Sequence, residues 1–214
     1  MRQLKFATVL VCSLLVTVRG MSESPAFSPC AGDDAIVAKH SVLPNGGTVE
    51  RDACLLLVSI AEQRMVFAVN GVPQRSYKVS TALAGTGSKV NSEKTPLGWH
   101  RVSEWIGDGC RPGQVFVSRR PTHEVIPWSC FRTEGGADYV LTRIMWLDGM
   151  EKGLNNGGVV DSHSRYIYIH GTNQEQLLGR PASHGCIRLS NRDVLELFAL
   201  TRGRTTYCNV LLAF

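Results

Sequence analysis

The chain has no Cys-x-x-Cys pair and no zinc-finger spacing of Cys and His. It also has no cluster of Lys and Arg interleaved with aromatic residues. The first absence removes the common structural zinc frameworks, and the second removes the footprint of a nucleic-acid partner. Internal repeats and low-complexity tracts are absent, which excludes a solenoid or a compositional linker protein. Beyond the N-terminus no apolar run could span a bilayer. Mean hydropathy is −0.03 with 19% charged residues, the balance of an ordinary folded chain. At 214 residues it suffices for one domain with a core and short flanks.

What is present begins with charge. The formal charge is +5, and Arg2, Lys5 and Arg19 supply three of the positive charges. Arg2 and Lys5 precede an apolar run from Phe6 to Val18, broken only by Cys12, Ser13 and Thr17. The run falls short of the about 20 residues a membrane helix needs, so residues 1–20 read as a secretory signal. Export to the periplasm or cell envelope is the expectation. An uncleaved anchor is one alternative, and a start at Met21, leaving the protein cytoplasmic, is another. Of seven cysteines, six remain once Cys12 goes with the signal. If one is a catalytic thiol, five are left, so at most two disulfides form, and their pairing is open. The plain alternative for most is a small buried apolar side chain.

Residues 21–52 are rich in Ser, Pro, Gly and Asp and read as a linker and irregular lead-in. The folded domain is expected over residues 53–213. Leu55 to Ile60 is a continuous apolar run of strand length. Met65, Phe67 and Val69 then alternate up to Asn70-Gly71, the strongest two-residue signal for a type I′ hairpin, and the partner strand returns from Gln74 to Ser80. Val115 to Ser118, Tyr139 to Leu147 and Tyr166 to His170 are further strands. Alternation in the last places Tyr166, Tyr168 and His170 on one face. Ser190 and Asp193 stand at N-cap and N3 of a helix whose apolar residues are Val194, Leu197 and Phe198. With 21 glycines marking turns, this is a mostly β domain with one or two helices.

The chemistry concentrates between Tyr166 and Phe198. His170-Gly171-Thr172 ends a strand, and Ser183-His184-Gly185-Cys186-Ile187-Arg188 forms a Gly-containing turn before the helix. A thiol nucleophile needs an imidazole to take its proton and a third group to orient that imidazole. It also needs donors facing the oxygen of the attacked carbonyl. His170 and Cys186 supply the pair, and the turn from Ser183 to Cys186 can aim successive backbone N–H groups at one point. Gly185 lets the backbone approach closely there. The competing explanations are a buried Cys beside a hydrogen-bonded His, or a metal site built from His163, His170, His184 and Cys186.

These residues resemble the catalytic domain of L,D-transpeptidases, the YkuD or ErfK/YbiS/YcfS/YnhG family. The resemblance is carried by Ile169-His170-Gly171-Thr172-Asn173, Gly179, Ser183 to Arg188, and Asn191-x-Asp193-Val194. Upstream, Glu62-Gln63-Arg64, Val79-Ser80-Thr81 and Thr95-Pro96-Leu97-Gly98 resemble family landmarks, so it spans about residues 53–213. It implies a β-sandwich-like fold, Cys186 as nucleophile and His170 as base, oriented by the carbonyl of Gly171. His184, Gly185 and Cys186 would line the oxyanion hole, with Ser183 supporting the turn. Arg188 would organise the site or meet a substrate carboxylate, its plain alternative being to brace the loop. Thr172, Tyr168 and Trp146 would border the substrate, with core packing the plain alternative for Tyr168 and Trp146. The implied partners are peptidoglycan stem peptides, with another stem, a lipoprotein lysine or a D-amino acid as acceptor. Carbapenems would acylate Cys186. No cofactor or metal is implied. Hydrolysis of stems or cross-links is a second enzymatic outcome, and a non-catalytic wall-binding or metal-binding protein is the outcome from another class. No peptidoglycan-binding module is visible, and the glycine-rich loops of residues 101–165 fall outside the resemblance.

Overall fold

The run that begins near Leu55 shows no alternation because both of its faces are covered. It forms β1 (Cys54–Ser59), buried at every position. In the computed structural model, which describes residues 30–131 and 137–214, β1 pairs antiparallel with β2 (Arg64–Val69). The chain then turns through Asn70-Gly71 into β3 (Val72–Lys78). Both turn residues have positive φ, 54° and 73°, as the type I′ turn requires. The segment expected to be a secretory signal, residues 1–20, lies outside the described residues.

The other edge of β1 runs parallel to the C-terminal strand β10 (Thr206–Leu211), which pairs with β4 (Gly98–Ile106). β4 pairs with β7 (Val140–Gly149), which also pairs with β5 (Gln114–Val117) and β8 (Tyr168–Gly171). Since β4 and β8 both pair with Ile144 to Trp146, they occupy opposite edges of β7. β5 pairs at Leu141, also bonded to β8, and therefore shares the β4 edge. β6 (Arg120–Val125) closes a hairpin on β5, and β9 (Ile187–Leu189) adds parallel to β8. The result is one large mixed sheet with two helices, α1 (Asp33–Lys39) and α2 (Asn191–Thr201).

Alternation along β1 and β2 divides the core. Cys54, Leu56, Val58, Met65 and Phe67 point to one side, where β8, β9 and α2 fold across through Ile169, Ile187, Leu189, Val194 and Leu197. Leu55, Leu57, Val66 and Ala68 point to the other side and are covered by Val37 and Leu43. The lead-in expected to be irregular thus carries a helix that seals the second face. Asp33 and Asp34 in its first turn and Lys39 in its last suit the helix dipole. Asp33, 1% exposed, is fixed by Arg64 Nη1 at 2.7 Å. Seven residues are too few to show a helical period in sequence.

A second departure concerns Tyr166, expected within a strand. Its φ is +59° and β8 starts only at Tyr168. α2 forms as expected, with Ser190 Oγ accepting the Asp193 N–H at 3.0 Å. All described cysteines are free thiols, and Cys54 and Cys208 are buried in the core between β1 and α2.

Candidate active site

The site is built on the β8–β9 pair. Its parallel register sets Ile169 beside Ile187 and His170 beside Arg188. Ile169, Ile187 and Leu189 face the core, so alternation sends Tyr168, His170, Cys186 and Arg188 to the opposite face. One rung back, Cys186 lies against Tyr168, its Sγ 3.4 Å from the Tyr168 N–H nitrogen and 3.4 Å from the Tyr166 carbonyl oxygen. His170 and Cys186 are therefore diagonal neighbours on one face. Strand spacing separates such Cα atoms by about 8 Å, within the combined reach of an imidazole and a thiol.

His170 is buried, and its Nδ1 donates to the Gly171 carbonyl at 2.7 Å. That bond fixes the tautomer and leaves Nε2 as the basic nitrogen. Burial holds the imidazole pKa below its ordinary 6.5, while the Gly171 carbonyl and Asp138 pull upward and Arg188 adds to the fall. Burial also pushes the Cys186 thiol up to about 11, with the Tyr168 N–H, Arg165 and Arg188 opposing the rise and Asp138 adding to it. The resting pair is thus a neutral thiol and a neutral imidazole. Gly171 tolerates no side chain, because an added Cβ would collide with the Asn191 amide and lie 3.0 Å from the Leu141 carbonyl oxygen. Asn191 Nδ2 donates to the Thr172 carbonyl at 2.7 Å, and its Oδ1 accepts from Thr142 at 2.5 Å. The start of α2 thereby anchors the residues that follow His170.

The turn before β9 is tied from within. Ser183 Oγ donates to the Cys186 carbonyl at 2.6 Å and accepts the Gly185 N–H at 3.3 Å. Thr95 Oγ1 donates to the Gly185 carbonyl at 2.9 Å and accepts from Ala82 N at 3.0 Å. Gly185 has φ +129°, and an added Cβ would meet Ile167 at 3.3 Å. The N–H groups of His184 and Cys186 have no partner among the described residues, so they are available to a ligand oxygen. The His184 side chain is exposed, with Nδ1 3.3 Å from Asp138.

Two expected substrate contacts turn inward. Arg188 is fully buried, with Nη1 donating to Asp138 and Gln174, both at 2.9 Å, and Nη2 to Ser80 at 3.1 Å. Its charge is met by Asp138 rather than by a ligand carboxylate, so it braces the turn. Thr172 is also fully buried, its hydroxyl accepting the Gln174 N–H at 3.1 Å. Tyr168 and Trp146 border Cys186, within an apolar cluster that its side chain packs against. Trp146 stacks on His163 at 3.8 Å and meets Tyr168 edge-on at 5.8 Å. His163 is thereby occupied, and the described residues contain no group of three His, Cys, Asp or Glu side chains able to hold a metal.

Asp138 and Arg119 belong to the site without having been singled out in the sequence, and Thr95 is named there only as part of a landmark. Thr95 lies in the Thr-Pro-Leu-Gly landmark, but its contact to Gly185 crosses 90 positions. Asp138 joins Arg188 and His184 from the segment before β7. Arg119 sits in the turn between β5 and β6, its guanidinium 4.4 Å over the Trp146 ring and 4.8 Å over the Tyr166 ring.

A model of the L,D-transpeptidase catalytic domain, YkuD, matches residues 55–208. A Bacillus licheniformis protein named YkuD is 51% identical over 37 residues, which are 17% of this chain and 22% of that protein. Among solved structures, L,D-transpeptidase 3 of Mycobacterium tuberculosis is 17% identical with a TM-score of 0.45, over 74% of this chain and 61% of that one. An L,D-transpeptidase, LdtMt1, in complex with imipenem is 18% identical with a TM-score of 0.44, over 75% and 59%. This chain thus spans under two thirds of each of these proteins. The family match covers most of the sheet and every residue of the His170–Cys186 site, and the chain belongs to the L,D-transpeptidase catalytic-domain family.

Proposed function

We propose that the chain is a cysteine acyltransferase acting on peptidoglycan stem peptides. The observation that carries this is the placing of Cys186 and the Gly171-anchored His170 on one face of the β8–β9 pair, beside uncommitted backbone donors. Cys186 Sγ attacks the carbonyl of the third, L-configured stem residue while His170 Nε2 takes the thiol proton. The N–H groups of His184 and Cys186 receive the developing oxyanion, a contribution of about 10²–10³ in rate per donor. The C–N bond to D-Ala breaks, the amine leaves with the proton from His170, and a thioester to Cys186 remains. An acceptor amine attacks the thioester, gives its proton to His170, and restores the thiol as the new amide forms. Another stem, a lipoprotein lysine or a free D-amino acid supplies that amine. A carbapenem acylates the same sulfur by opening its strained lactam. The basic, apolar N-terminal segment supports export to the cell envelope, where these stems are found.

The test is a mass-spectrometric product assay on tetrapeptide-stem muropeptides with the wild-type protein and the Cys186→Ala variant. Dimers that have lost one D-Ala, absent with Cys186→Ala, are expected. Tripeptide monomers alone would replace transfer by hydrolysis. Unchanged substrate with folded wild-type protein would remove stem peptides as donors.

A further inference from the structure

Arg119 has no role in the acyl-transfer steps, yet it is held on Trp146, Tyr166 and Tyr168, the aromatic side chains around Cys186. It occupies the second position of the Ser118-Arg119 turn joining β5 to β6. Both turn residues have positive φ, 48° and 67°, a conformation that L side chains adopt at a cost. The guanidinium lies over Trp146 and Tyr166, and its Nη1 donates to Tyr168 Oη at 3.3 Å. Tyr166 and Tyr168 are the two residues whose backbone atoms touch Cys186 Sγ. Among the described residues no carboxylate pairs with Arg119, whereas Arg64 has two and Arg75, Arg101, Arg188 and Arg202 have one each. Arg119 is also partly exposed, so its remaining N–H donors reach the open side of the cluster.

A planar cation held flat on aromatic rings presents its edge to bidentate recognition of a carboxylate. The carboxylate in range is defined by the chemistry at Cys186. In a donor whose last residue leaves, the terminal carboxylate belongs to the residue just past the scissile carbonyl, about 3.8 Å of chain away. We propose that Arg119 binds the terminal carboxylate of the donor peptide and so confines attack by Cys186 to the last peptide bond. This rests on the acyl-transfer reading for its substrate, but its binding step is separable from turnover.

The experiment uses a tetrapeptide stem ending in a free D-Ala carboxylate and the same stem with that carboxyl as a carboxamide. With the full chain, the free acid is expected to be preferred by about tenfold to a hundredfold in kcat/KM, carried by KM, the usual range for one charge-assisted pair. Arg119→Ala should erase the preference with kcat for the acid nearly unchanged, and Arg119→Lys should recover part of it. Calorimetric Kd values on Cys186→Ala, with and without Arg119→Ala, give the same comparison without turnover. Acid-selective binding there, with no turnover by the wild type, would defeat the reaction while sustaining the Arg119 role. A preference that survives Arg119→Ala, an equal fall in kcat for both stems, or absence of acid-selective binding to Cys186→Ala would overturn it.

Discussion

The neutrality of the resting pair makes a sharp prediction for the reactivity of Cys186. Its thiol is pushed up to about 11 from an ordinary 9.0 because burial disfavours the thiolate and the nearby donors offset this only in part. At pH 7 about one molecule in 10⁴ carries the thiolate, against about one in 10² for an unperturbed thiol. Alkylation by iodoacetamide, followed by mass spectrometry on the peptide holding Cys186, should therefore be about a hundredfold slower than at an unperturbed cysteine. It should rise about tenfold per pH unit from 7 to 10 without levelling. His170→Gln should leave this profile nearly unchanged, because the imidazole it removes is uncharged at rest, while lowering the substrate reaction by about 10²–10⁴. A rate that levels off at or below pH 7, with the plateau lost in His170→Gln, would mean a resting thiolate–imidazolium pair. It would refute desolvation as the dominant influence.

Gly185→Ala places a Cβ at φ +129° against Ile167 and should cost about 1–2 kcal/mol in thermal or urea unfolding, with activity down by about 10² as the turn donors shift. Arg188→Met should cost about 3 kcal/mol by leaving Asp138 without its main partner and removing the donors to Gln174 and Ser80, and Asp138→Asn about as much. The double variant should lose clearly less than the sum of the two, and strict additivity of the melting shifts would show that the pair does not act as a unit. His100 is buried, with its pKa lowered to about 4 by desolvation. Its depressed value means that stability is complete above pH 6.5 and falls as the unfolded chain gains a proton that the fold refuses. The loss is about 3 kcal/mol between pH 6.5 and 4. Urea midpoints that stay flat over this window, or a decline unchanged in His100→Gln, would contradict it.

The parts of this molecule legible in sequence are those whose signals are local. The Asn70-Gly71 turn and the Ser190 cap each depend on neighbours within a few residues and form where expected, and the strand carrying His170 forms two residues later than its alternation suggests. β9 has three residues, below the length at which alternation is visible, and β6 is exposed along nearly all of its length. α1 is short, and its apolar contacts are to strands far along the chain. At the site, Cys186, His170 and the turn from Ser183 can be singled out because they lie in two short motifs. The positions of Asp138 and Arg119 depend on how the segment between β4 and β7 returns to the cleft, which no local pattern encodes. Arg188 shows the limit from the other side. Its motif marks it as important, but only burial separates bracing a loop from meeting a ligand.

The two edges of β7 have different consequences for how such a protein can diversify. One edge carries β8, with β9 beyond it, and so holds His170 in a paired rung with Cys186 just before the first residue of β9. The opposite edge carries the β5–β6 hairpin, whose strand pairing with β7 is limited to Val115 and Phe116. Lengthening, retipping or recharging that hairpin leaves the rungs beneath His170 and Cys186 intact. A lineage can therefore alter what the hairpin tip presents to the aromatic cluster around Cys186 while the backbone rungs that hold His170 and Cys186 stay as they are.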